Sequence, residues 1–331
     1  MPLRVTHYQR RPNPTDFSIE RLFDDIRDSL PAGIHVRKAV CRFRSRGLLP
    51  RLYNIVEAPF RQGDVNHITG DVHYLSLLLR KRRTILTIHD CGSLERLQGW
   101  RLLAFRALWL ELPLRRAWVV TTISRSSRNA LLRATGVESQ KVRVIYNCVS
   151  PAFVPSLRSF CRERPVILLV GTRPNKNLER VAEALEGVSC YLAIVGRLTR
   201  SQRDLLQGLG LRYTAHQDLT DEEMVERYRD CDLVVFASTS EGFGLPIVEA
   251  QSVGRPVVAS SIPVLQEVAG DAAVFVNPKD AVSIRAGILS VTGSSQLYAD
   301  LVQRGLRNAQ RFQANAIAGH YADLYREVAG V

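Results

Sequence analysis

The stretch STSEGFGLPIVEAQSVGRPVVAS, Ser238–Ser260, sets Glu241 and Glu249 eight positions apart, with Gly242, Gly244 and Pro246 between them. A carboxylate pair that hydrolyses a glycosidic bond stands roughly 5–9.5 Å apart. Eight helical steps already separate Cα atoms by about 12 Å, and an extended segment separates them further. The two glutamates therefore suit different parts of one long ligand. Just upstream, DLVVFAS (Asp232–Ser238) is a Val-rich apolar run of strand length, and LPIVEAQSVG reads as a helix with Pro246 in its first turn and Gly254 as its stop. At Gly242 and Gly244 the backbone can come close to a bound group, and the unpaired N–H groups opening the helix face it. Such a place suits phosphate or a sugar hydroxyl.

Outward from this stretch, short apolar runs alternate with helical patterns along the whole chain. In the second half PVILLVG, CYLAIVG, RYTAH, DLVVFAS, RPVVAS and AAVFVNP alternate with helical Leu178–Leu185, Ser201–Leu209, Glu222–Asp230, Leu245–Val253 and Val264–Ala269. In the first half LRVTHY, GIHVRKAV, VNHIT, TILTIHD, WVVTTIS and KVRVIYN are strand-like, and Ser18–Leu30 has helical spacing. This alternation predicts α/β architecture, with two parallel sheets covered on both faces: two doubly wound, Rossmann-like domains with a cleft between them. The 331 residues allow two cores. The boundary falls in Ser150–Pro165, a stretch with three prolines and no period. The expected domains are thus 1–150 and 151–331.

Charge divides along the same line. Residues 1–150 carry 26 Lys and Arg against 12 Asp and Glu, whereas the remainder carries 19 against 20. The six cysteines are scattered without metal-ligand spacing and read as free, mostly buried thiols. No apolar stretch is long enough to span a bilayer, and MPLRVTHYQRR has no signal-peptide pattern, which leads to the expectation of a cytoplasmic protein.

In doubly wound sheets ligands bind beyond the carboxyl ends of the strands. After PVILLVG come Arg173 and Lys176, cations in a loop that opens a helix, suited to a diphosphate. His89 and Asp90 follow TILTI, and the opening stretch follows DLVVFAS.

At these strand ends the chain resembles the retaining nucleotide-sugar glycosyltransferases of GT-B fold, family four. EGFGLPIVEA followed by GRPVVAS carries the resemblance, supported by VGTRPNKNLERV, DAAVFVNPKDA, TIHD, ISRSSR and VIYNCVSPAF. The resemblance implies two Rossmann-like domains, an acceptor-side one first and a nucleotide-sugar-binding one second, with the final helices packing back on the first. It implies that Glu249 binds the donor ribose. Glu241 and the amides of Gly242, Phe243, Gly244 and Leu245 contact the transferred sugar and diphosphate, and Gly171 lies in the donor loop. Arg173 and Lys176 neutralise the leaving diphosphate, and His89 approaches the sugar from the opposite domain. The implied chemistry uses a nucleotide-sugar co-substrate and no metal or other cofactor, with a glycan or lipid-linked acceptor as in bacterial cell-surface polysaccharide or glycolipid synthesis. Two departures stand out. QRRPNPTDFSIERLF has no glycine where the family has a glycine-rich loop, leaving Arg10 and Arg11 either as replacements or as ordinary surface residues. Cys148 and Ser150 replace a common Gly and Asp.

The absence of G-x-G-x-x-G after a strand and of G-x-x-x-x-G-K-[ST] argues against nicotinamide enzymes and P-loop kinases. A sugar-nucleotide epimerase on the same fold, or a non-catalytic relative, stays open. Arg80-Lys81-Arg82-Arg83 suggests nucleic acid, but no recognition motif accompanies it, and the run is expected to end a helix where cations are favourable. The basic cluster Arg37, Lys38, Arg42, Arg44 and Arg46 suits an anionic surface, either lipid headgroups at the inner membrane face or an acidic glycan. Gly99–Trp118, with Trp100, Phe105, Trp109 and Trp118, reads either as an interfacial segment or as a buried helix.

Overall fold

The computed structural model describes residues 2–12, 18–89, 110–156 and 160–331. Asp90, Cys91, Trp100, Phe105 and Trp109 lie outside the described residues. The chain divides into two compact units, Met1–Cys148 with Ala314–Val331, and Val149–Gln313.

The first unit holds β1 (Leu3–Gln9), β2 (Ile34–Val40), β3 (Val65–Ile68), β4 (Thr84–Ile88), β5 (Val119–Thr122) and β6 (Val142–Val144), ordered β2-β1-β3-β4-β5-β6 and parallel throughout. β1 lies between β2 and β3, so the direction of winding reverses there. Helix Ser18–Asp28 packs Leu22, Phe23 and Ile26 against this sheet. On the same core lies the last helix, Ala314–Ala329, through Ile317, Tyr321 and Tyr325.

The second unit holds β7 (Val166–Val170), β8 (Tyr191–Val195), β9 (Tyr213–His216), β10 (Leu233–Phe236), β11 (Val257–Ser260) and β12 (Val274–Val276), ordered β12-β11-β10-β7-β8-β9. All five pairings are parallel. Covered on both faces, these strands are short, near-continuous apolar runs, as Val166–Val170 and Leu233–Phe236 show. The chain winds outward from β7 through β9 and resumes at β10 on the other side, so β7 and β10 flank the switch point. Helices Leu178–Leu185 and Leu245–Val253 start and stop where their periodicity predicts; the others differ by one or two residues.

One local expectation is corrected. The basic run Arg80–Arg83 does not end an α-helix: Lys81–Arg83 is a 3₁₀ turn feeding β4, and Arg83 donates to the Val328 carbonyl 3.1 Å away in the last turn of the C-terminal helix. Of the described cysteines, Cys41, Cys148, Cys190 and Cys231 are buried and Cys161 is exposed; all five are free thiols.

Within the first sheet runs a buried polar chain whose donor order is set by its ends. Arg27 Nη1 donates to His7 Nδ1 at 3.2 Å, which leaves His7 Nε2–H to donate to the Tyr325 hydroxyl at 2.8 Å. Tyr325 then donates to His67 Nδ1 at 2.8 Å, and His67 Nε2–H donates to Thr87 Oγ1 at 2.7 Å. Both imidazoles are neutral in this arrangement. Burial is the main cause holding both below the ordinary value of 6.5, with His67 down to about 3.

Candidate active site

The second unit brings the loop after β7 and the loop after β10 together at its switch point, where doubly wound sheets bind ligands. Gly171 follows β7 with φ +96°, and a Cβ there would sit 2.8 Å from Lys176 Cγ. Glycine thus does two things: it takes the left-handed turn and leaves room for the lysine stem. Lys176 lies in the 3₁₀ turn Pro174–Lys176 and reaches across to Glu241, Nζ to Oε1 2.6 Å, with the two side chains 19% and 13% exposed. Its ammonium also lies 4.6 Å from the Phe236 ring centroid, on the last residue of β10. Asn175 adds a bond from Nδ2 to the Ser240 carbonyl at 3.1 Å. Asn177, at φ +63°, is buried and donates to the carbonyls of Ala237 at 3.0 Å and Pro278 at 2.7 Å. These bonds tie the two loops into one surface.

Gly244, at φ +106°, precedes helix Leu245–Val253; a Cβ there would meet Leu265 Cδ2 at 2.6 Å. No side chain caps this helix start; Pro246 has no N–H and the Ile247 N–H bonds the Gly244 carbonyl at 3.0 Å, which leaves the N–H groups of Gly244 and Leu245 for other acceptors. Phe243 is buried, edge-on to Phe312 at 5.7 Å, so only its backbone is available to a ligand. Gly242 and Leu245 are partly exposed on either side. Arg173 is exposed at the start of the loop that holds Lys176.

Glu249 is held from the neighbouring helix, Asp221–Asp230. Tyr228, fully buried, donates its hydroxyl to Glu249 Oε2 at 2.5 Å and stands edge-on to Phe153 at 5.4 Å. Burial, reinforced by the Glu249 charge, pushes the Tyr228 phenol well above its ordinary range, so it remains a donor.

His89 belongs to the first unit, at the carboxyl end of β4. It is buried, and Nε2 donates to the Thr69 carbonyl at 2.9 Å. Its pKa is lowered, chiefly by burial against the opposing effect of that bond. At the switch point of this sheet Arg10 pairs with Glu20 at 2.6 Å and Asp71 at 3.2 Å, while Arg11 donates to the Arg42 carbonyl at 3.0 Å. Both arginines thus tie the end of β1 to neighbouring segments, at the place where the family has a glycine-rich turn. The first unit also has a cavity of about 740 Å³, lined by Lys81, Trp118 and Lys141 among others, but at the amino ends of β4–β6, away from the His89 end. Among the described residues no group of His, Cys, Asp and Glu has the arrangement of a metal site.

Sequence reasoning did not pick out Tyr228, Asn175 or Asn177. Tyr228 meets Glu249 only because two helices are adjacent, and nothing in the spacing signals it. The Asn-Lys-Asn run at 175–177 carried a usable hint, since Asn tolerates the left-handed conformation better than other side chains do.

Two doubly wound parallel sheets, the second with a cation and an uncapped helix start at its switch point, define the GT-B glycosyltransferase fold. Residues 159–308 match the glycosyl transferases group 1 and residues 19–153 match Glycosyltransferase Family 4, which together support a group 1 GT-B glycosyltransferase. The chain is similar to the O-antigen chain mannosyltransferase RfbU of Salmonella typhimurium, 26% identical over 226 residues, covering 66% of this chain and 63% of that protein. It is 29% identical over 221 residues to the O-antigen chain mannosyltransferase B of Escherichia coli, covering 59% and 57%. The matched region therefore spans less than two thirds of either relative's own length. Among solved structures, Anabaena HepE in complex with UDP and glucose superposes with a TM-score of 0.78 at 20% identity, over 98% of this chain and 100% of that one.

Proposed function

We propose that this chain transfers a sugar from a nucleotide-sugar donor to a glycan or lipid-linked acceptor, with retention of anomeric configuration, in the synthesis of a cell-surface polysaccharide. The observation that carries the reading is the Lys176–Glu241 pair, set against an uncapped helix start at the switch point of the second sheet. Negative charge grows on the leaving diphosphate as the glycosidic bond breaks. A preorganised ammonium, the exposed guanidinium of Arg173 and the N–H groups of Gly244 and Leu245 stabilise that charge most in the transition state. These side chains and amides do the work of a metal, so transfer proceeds without one. Both side-chain bonds to Glu241 fall on Oε1, which leaves Oε2 for a hydroxyl of the transferred sugar. Glu249, steadied by Tyr228, accepts from the ribose hydroxyls. His89, with Nε2 committed to Thr69, offers Nδ1 as an acceptor. In a retaining reaction the acceptor attacks on the face the diphosphate leaves, and the departing phosphate oxygen takes the acceptor proton. The mannosyltransferase relatives make mannose the first sugar to test.

The test is to incubate the chain with a panel of nucleoside-diphosphate sugars and candidate glycan acceptors, with and without chelator, and to read the product anomer by NMR. Retained configuration, unaffected by chelator and lost in Lys176→Ala, is expected. Inverted product, a strict metal requirement, or conversion of the donor to its epimer without acceptor would overturn the reading.

A further inference from the structure

Helix Leu48–Glu57 and the turn after it are oriented contrary to a soluble surface. Leu48, Leu49, Leu52, Tyr53, Val56 and Phe60 are all exposed, Leu48 at 71%, Leu49 at 77% and Phe60 at 84%. At 100° per residue the five on the helix fall within an arc of about 140°. The inward side carries a buried amide beside half-buried Ile55. Asn54 Nδ2 donates to the Phe43 carbonyl at 2.9 Å, and Asn54 Oδ1 accepts from the Phe43 N–H at 3.2 Å. This clamp brings Phe43, itself exposed, edge-on to Tyr53 at 5.0 Å and so extends the apolar face into the preceding loop. An apolar stripe turned outward, with the polar residue of the helix turned inward, marks a contact surface.

Charge decides the occupant. No Asp or Glu occurs between Asp28 and Glu57, while Arg42, Arg44 and Arg46 are exposed beside the stripe. Glu57 itself is paired with Arg61. A second copy of the chain would bring the same arginines against one another in a two-fold contact, which like charges disfavour. An anionic bilayer satisfies both features at once, because its hydrocarbon takes the apolar side chains and its phosphates take the guanidinium groups. Among the described residues no helix is long and apolar enough to cross a membrane, so the contact lies in the interface plane. We infer that the outward face of Leu48–Glu57, with Phe43 and Phe60, seats this protein on an anionic lipid surface. The inference gives the lipid-linked acceptor of the function proposed above a surface on which to be met, and it rests on the exposed face alone.

The experiment is cosedimentation of the whole chain, without donor or acceptor, with phosphatidylcholine vesicles and with vesicles that also contain phosphatidylglycerol. Binding to the anionic vesicles, weakening as salt rises, is expected. Leu49→Asp combined with Phe60→Asp lowers the partition roughly ten-fold or more. Arg42→Ser with Arg44→Ser and Arg46→Ser removes the preference for anionic lipid. Far-ultraviolet circular dichroism stays unchanged in both variants, because every altered side chain is exposed. As a second readout, Leu49→Trp fluorescence is quenched by brominated lipid. Unchanged binding in the Leu49/Phe60 variant, or no binding by the parent chain at low salt, overturns the inference. So does a lipid-free dimer that this variant dissociates, which would make a second copy the occupant. None of these outcomes bears on sugar transfer, which is measured separately with a soluble acceptor.

Discussion

Lys176 Nζ lies 2.6 Å from Glu241 Oε1, although the two residues stand 65 positions apart. The lysine reaches that position across Gly171, where an added Cβ would sit 2.8 Å from its Cγ. Gly171→Ala therefore both strains a left-handed turn and pushes the lysine stem aside. The expected result is a loss of about 1–2 kcal/mol in unfolding free energy, with a fall in kcat larger than any rise in donor KM. Denaturant melts beside steady-state kinetics check it; a fully active, equally stable variant would dissociate Gly171 from Lys176.

The pair itself is expected to act as a unit. Lys176→Ala lowers kcat on the order of 100-fold or more, as removal of a preorganised transition-state charge does elsewhere. Glu241→Gln also lowers turnover. A double-mutant cycle on the two should return a coupling of roughly 1–3 kcal/mol in transition-state free energy. Simple additivity of the two effects would show that the ion pair has no part in transfer.

Tyr228 donates to Glu249 from a fully buried position. Tyr228→Phe keeps the ring against Phe153 and removes only the hydroxyl. It should raise donor KM several-fold, corresponding to about 1 kcal/mol for one lost hydrogen bond, with kcat close to the parent value. Glu249→Ala should raise KM further. Titration of donor by calorimetry separates this from a folding defect, since a positioning role moves affinity and leaves the melting temperature nearly unchanged.

Acid should destabilise the first unit through its buried histidines. His67 has a folded pKa of about 3 against an ordinary 6.5, and His7 is lowered in the same direction. A depressed pKa means that the unfolded chain binds protons the folded chain refuses, so stability is full above 6.5 and falls as pH drops toward about 3. His67 contributes a slope of at most about 1.4 kcal/mol per pH unit in that window, and His7 adds to the decline in the same direction. The groups facing the pair are Arg27, His89, Tyr321 and Tyr325, and none of them is an acid that could hold the imidazolium. Urea melts between pH 7 and pH 5 should show the decline, with a shallower slope in His67→Gln. A flat profile would mean that the chain of bonds opens on protonation at little cost.

The division between sequence and structure follows the range of the interactions. Leu245–Val253 was legible to the residue because its start and stop are local: Pro246 in the first turn, Gly254 in a left-handed cap. The parallel sheets were legible because Val166–Val170, Leu233–Phe236 and Val257–Ser260 are apolar on both faces, a demand that each strand states by itself. Placing Lys176, Glu241 and the glycines beyond strand ends followed from that alternation.

Pairings between distant side chains were not legible. Glu241 read as a contact to the transferred sugar and diphosphate, and nothing in the sequence paired it with Lys176 as the fold does. Arg10 read either as a stand-in for a glycine-rich loop or as an ordinary surface residue, and the fold pairs it with Glu20 and Asp71. The basic run at 80–83 read as a helix end and is a 3₁₀ turn. Most plainly, Leu48–Glu57 has the composition of a helix that packs its leucines inward, yet Asn54 faces the core and the leucines face out. Periodicity shows that a helix has two unlike faces. Which of them turns toward the core is decided by what the neighbouring elements offer, and here the backbone of Phe43 offered an N–H and a carbonyl that the Asn54 amide meets together.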